Sequence, residues 1–266
     1  MFEIGTDQAA GLRAAAHHHE AVMISVASPA QPARAYEMLC HLAMGLRHLG
    51  HLPVIIDGTA PEATARHEQN GSHLGLQHVL TDASISGLGH PCDGHEWLVM
   101  PAATGLRTLQ QTARAAGGAV ALERLLAPFA AGTVLLVFAP APELAPLTRG
   151  LQARVLVPVL PWPQAAIDAY GAVKLLHLAG AQPVLAPMDA GDAEVPLEQV
   201  VAGVNACASR HLGLAPERWN PPVWATAVQE FALARPLRQD TLHGLHVPRH
   251  AGLASPFGDA ASSFWS

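Results

Sequence analysis

The stretch Val22-Met23-Ile24-Ser25-Val26-Ala27-Ser28-Pro29-Ala30-Gln31-Pro32-Ala33-Arg34-Ala35-Tyr36-Glu37, continuing through Met38 to Asp57, decides how the chain is read. Val22 to Val26 is an apolar run of the kind a buried strand shows. Met38, Leu39, Leu42, Leu46 and Leu49 then recur at helical spacing up to the stop signal at Gly50, and Val54-Ile55-Ile56 forms a second strand ending at Asp57. Strand, loop, helix, strand is the unit that opens a nucleotide-binding α/β fold. Yet the loop from Ser28 to Glu37 contains no glycine and no lysine. A phosphate cradle needs glycines for close backbone approach, a lysine for charge and a Ser or Thr for magnesium. Here Pro29 and Pro32 remove backbone N–H donors instead, and Tyr36 and Glu37 add bulk and negative charge where phosphate would lie. The expectation is that ATP does not bind in this loop.

Outward from that unit, strands continue to alternate with helices. A loop rich in Gly, His and Pro runs from Gly58 to Glu96, with short helical material around Leu74 to Leu80. Trp97 to Met100 reads as a strand, Gly105 to Phe129 as helix broken at Gly117-Gly118, and Thr133 to Phe138 as a central parallel strand bounded by Gly132 and Pro140. Val155 to Leu160 is another strand, Gln164 to Leu178 a helix ending at Gly180, and Val184 to Ala186 a further short strand. The expected class is α/β: a doubly wound, mostly parallel sheet with helices on both faces. Leu242 to Ser266 lacks apolar periodicity and reads as a tail, in which Phe257, Phe264 and Trp265 are the groups that could dock it or touch a membrane, the second not favoured by its short helical pattern.

Composition narrows the classes. The chain has 266 residues, enough for one α/β domain, with 50% hydrophobic and 14% charged residues. No run approaches the roughly 18 apolar residues a spanning helix requires. The polar, acidic start from Glu3 to Gln8 lacks the order of a secretory signal, so the cytoplasm is the expected compartment, with recruitment to the cell pole or inner membrane face as a further step. Cys40, Cys92 and Cys207 are widely spaced and odd in number, which suits a reducing compartment. A net charge of −6 with only 15 Lys and Arg argues against a nucleic-acid surface.

Laid on the SGKGGVGKTT segment of the MinD/ParA class of P-loop ATPases, the chain resembles that class in framing pattern while departing from it in chemistry. Ser28 is kept. Pro29, Ala30, Gln31 and Pro32 fall on GKGG, and Ala33, Arg34, Ala35, Tyr36 and Glu37 on VGKTT, so Ala30 and Ala35 stand at the lysine positions. Asp57 matches the first aspartate of LLIDAD, and Thr59 stands at the second. Leu98 to Leu106 resembles LIPA(A/G)TG, and Pro161 to Tyr170, running into Lys174, resembles PEPTAITDAY. Where the class has an IDTGAG-like segment this chain has Leu136-Val137-Phe138-Ala139-Pro140-Ala141, which puts Val137 at the metal-side aspartate, and Ala186-Pro187-Met188 replaces VNR. The ATP and magnesium of the class are therefore expected to be lost, leaving a pseudo-ATPase scaffold with no cofactor.

Asp7-Gln8-Ala9-Ala10-Gly11-Leu12-Arg13 is similar to DQAxxLR, the N-terminal signature of the FlhG (FleN, YlxH) family of MinD-like regulators of flagellar number and placement. The resemblance implies a helix that docks on an FlhF-type GTPase of the signal-recognition-particle class and stimulates GTP hydrolysis, with the flagellar C-ring or other flagellar proteins as further partners. Asp7 suits an N-cap, and Ala9, Leu12 and Arg13 share a face. Gln8, polar and uncharged, is the residue expected to orient the attacking water. The organisation that follows is a docking helix and linker over 1–20, the α/β domain over 21–241 and the irregular tail over 242–266. Two other readings stay open: an active ATPase with an atypical phosphate loop using Asp57 and Arg34, and an accessory of another polar or secretion machine in which Asp7 to Arg13 matters little.

Other clusters carry less. His17-His18-His19 cannot all face one ion, and His90 to His95, with Cys92 and Asp93 between, lacks a second paired element for tetrahedral zinc. His48 and His51 flank Gly50 at a helix end, where a protonated imidazole would suit the dipole. No nucleophile elbow, matched carboxylate pair or Cys/His dyad is present.

Overall fold

The computed structural model describes residues 21–62, 75–90, 96–151, 153–191 and 193–230. The elements are β1 (Val22–Ser28), a 3-10 turn (Pro32–Ala35), α1 (Tyr36–His48), β2 (Leu52–Asp57), α2 (Leu76–Thr81), β3 (Leu98–Pro101), α3 (Ala103–Ala116) and α4 (Gly118–Leu126). They continue as β4 (Thr133–Pro140), α5 (Ala141–Thr148), β5 (Arg154–Val159), α6 (Ala165–Leu178), β6 (Gln182–Pro187), α7 (Leu197–Leu212), the two-residue β7 (Glu217–Arg218) and α8 (Trp224–Val228).

All seven strands lie in one parallel sheet in the order β3-β2-β4-β1-β5-β6-β7. The expected doubly wound class is the observed one. The central strands bury nearly every residue, as sequences of β1 and β4 without polar alternation require. From β1 the chain crosses β4 to reach β2 and then the β3 edge; from β4 it crosses β1 in the opposite direction to β5, β6 and β7. Right-handed crossovers therefore place α1 on one face and α3 to α7 on the other. The packing agrees: α1 lies against α8, while α3, α4 and α5 pack together and pass the contact on to α6 and α7.

The sequence reading ended β1 at Val26 and β4 at Phe138, but both run two residues further, through Ser28 and Pro140. It left α5, α7, β7 and α8 unassigned. The break at Gly117 is real and has a backbone cause, because its φ of 96° is open to glycine without strain. His51 departs from the dipole reading: burial pushes its pKa below the ordinary imidazole value, and its buried Nε2 has no hydrogen-bond partner, so its surroundings disfavour the helix-end cation.

Candidate functional site

In an open parallel sheet the site forms beyond the carboxyl ends of adjacent strands whose connections leave in opposite directions. Here those strands are β1 and β4. Register puts Asp57 of β2, Phe138 of β4, Val26 of β1 and Leu156 of β5 at one level, so the crevice floor is defined by the residues just beyond this line.

The floor is built from the loop after β1. Pro29 follows the strand, the Ser28 hydroxyl donates to the Pro29 carbonyl at 3.0 Å, and Pro32 opens the 3-10 turn. Within that turn the Arg34 N–H donates to the Gln31 carbonyl and the Tyr36 N–H to the Ala33 carbonyl, so these amides are turned inward. Ala30, Gln31 and Ala33 point to solvent, whereas Ala35 is fully buried. The Tyr36 ring stands edge-on to Phe138, centroids 5.6 Å apart, and the Arg34 guanidinium lies 4.4 Å over the ring of Trp162, which comes from the loop after β5. Side chains from three strand ends thus lean across the crevice and hold the loop to the sheet. Val137 is wholly buried in β4 and presents no charge to it.

The neighbouring shoulder, after β2, is organised by carboxylates. Asp57 is buried, and its Oδ1 accepts from the Thr59 N–H at 2.9 Å and the Thr59 hydroxyl at 2.7 Å, a closed Asx turn. The Asp57 carbonyl accepts from the Ala102 N–H at 2.8 Å. Gly58 is required there: a Cβ would lie 2.4 Å from Leu106 and 2.8 Å from Ala139. Glu62 reaches between two helix starts, accepting from the Gln77 N–H at 2.7 Å and the Gly105 N–H at 2.6 Å. A carboxylate between two N-termini satisfies amides that would otherwise be open to an anion. One polar group remains orphaned near the middle of β1, the buried Ser25 hydroxyl.

Ser28, Pro29, Ala30, Gln31, Pro32, Ala33, Arg34, Ala35 and Tyr36 thus run from the end of β1 into α1 and Asp57 ends β2 at the same edge of the sheet, with Ala35 and Val137 wholly buried, while Asp7, Gln8, Ala9, Leu12 and Arg13 lie outside the described residues. Sequence reasoning missed Trp162 as the partner of Arg34 and Glu62 as the double cap. The first had a weak signal, an aromatic between prolines just after a strand; the second had none, since its contacts lie 15 and 43 residues away. Among the described residues no group of three or more His, Cys, Asp or Glu is placed to hold a metal, and His90 is the one member of the His90 to His95 cluster within them. No helix of the described residues is long and apolar enough to cross a membrane.

No family model and no curated protein matches the chain. Among solved structures it is similar to the MinC:MinD cell division protein complex of Aquifex aeolicus, at 13% identity over 68% of this chain and 76% of that one, TM-score 0.42. It is similar to the ATP complex of a McdA variant from Cyanothece, at 14% identity over 76% and 82%, TM-score 0.46. It is likewise similar to the septum site-determining protein MinD of Pyrococcus horikoshii OT3 with Mg-ADP, at 13% identity over 69% and 77%, TM-score 0.45.

Proposed function

We propose that this chain is a non-catalytic regulator of the FlhG type, acting through protein contacts, with the Asp7 to Arg13 segment stimulating an FlhF-type GTPase. The observation that carries the reading is the loop after β1. A magnesium triphosphate needs convergent N–H donors, a cation and a metal-side carboxylate. This loop offers two prolines, inward-turned amides at Arg34 and Tyr36 and an arginine stacked on Trp162, and β4 puts a buried Val137 at the carboxylate position. The residues present do not fit the group. The body then serves as a docking surface, and Gln8 is the residue inserted toward the partner's nucleotide.

Titration calorimetry with ATP and magnesium tests the first half, and heat of binding at micromolar protein would overturn it. Adding a peptide of residues 1–20 to purified FlhF tests the second: GTP turnover rises, and Gln8→Ala in the peptide abolishes the rise. No stimulation by a peptide shown to be helical favours an accessory role in another polar or secretion machine. The ATPase alternative rests on Asp57, whose Oδ1 is already taken by Thr59, and on Arg34 and the loop around it, where the Arg34 guanidinium lies over Trp162.

A further inference from the structure

We draw no further inference here: the strongest candidate, the cavity at the amino end of β2 lined by Arg47, His51, His90 and Glu96, carries nothing, because the Arg47 guanidinium already donates to the Glu96 carbonyl, the unpartnered Nε2 of His51 is buried rather than open to the cavity, and no group of three metal-ligating side chains is placed there among the described residues.

Discussion

The two shoulders of the crevice close by opposite means. After β1 the loop is stiffened by Pro29 and Pro32 and fastened by rings: Tyr36 against Phe138, Arg34 over Trp162. After β2 the chain comes in close on Gly58, and carboxylates take the backbone N–H groups, Asp57 within its own turn and Glu62 across two helix starts. Both leave few amides for a ligand. The first removes donors covalently or turns them inward; the second occupies them with the chain's own anions. The first shoulder carries one charge, the Arg34 guanidinium over Trp162, and should respond weakly to salt and tolerate conservative change, whereas the β2 shoulder depends on one close approach and on three side-chain oxygens.

The sharpest way to break the comparison is Gly58→Val, which forces side-chain atoms into Leu106 and Ala139 and should cost about 3 kcal/mol or more by urea denaturation. If it is tolerated, close approach does not organise the β2 shoulder. Tyr36→Ala, removing the ring packed on Phe138, should cost about 2 kcal/mol, and Tyr36→Phe almost nothing, because what is lost is apolar and edge contact. Glu62→Ala uncovers two helix starts and should cost about 1 kcal/mol, a loss that added sulfate partly restores by supplying an anion to the same amides. Arg34→Ala should cost about 0.5–1 kcal/mol, with a change in tryptophan emission as Trp162 loses its cation. Smallest is a control at the opposite end of β2. Because burial lowers the pKa of His51, its contribution is intact above the ordinary imidazole value of 6.5 and is lost as pH falls toward the lower folded-state value. His51→Gln should flatten that slope in pH-dependent melts and leave both shoulders unaffected.

Much of the fold was legible because its core strands are continuous apolar runs and its long helices end at glycines. β1, α1, β2, β4, β5 and α6 were all placed by such patterns to within a few residues. α5 has no counterpart in the sequence reading; it carries Pro142 in its first turn, a position compatible with helix, and Pro146 inside a helix of only eight residues. α7 had usable signals, Pro196 before it and Gly213 in the left-handed conformation after it, with Val200, Val204 and Ala208 at helical spacing. At the crevice the sequence named the residues of the β1 loop but not what they touch. Arg34 was weighed as a phosphate contact, and its stacking on Trp162 joins segments more than a hundred residues apart.

Composition and order alone fixed the alternation of strand and helix, the absence of glycine and lysine after the first strand, and the uncharged residue at Val137, since these depend on residue identity and local periodicity. The order of strands, the meeting of Tyr36 with Phe138 and of Arg34 with Trp162, Glu62 between two helix starts and the exposure of Ile167, Leu175 and Leu178 of α6 among the described residues were decided by tertiary structure. Each of those depends on which distant segments are brought within a few ångströms of one another, and a single chain read along its length carries no such distances.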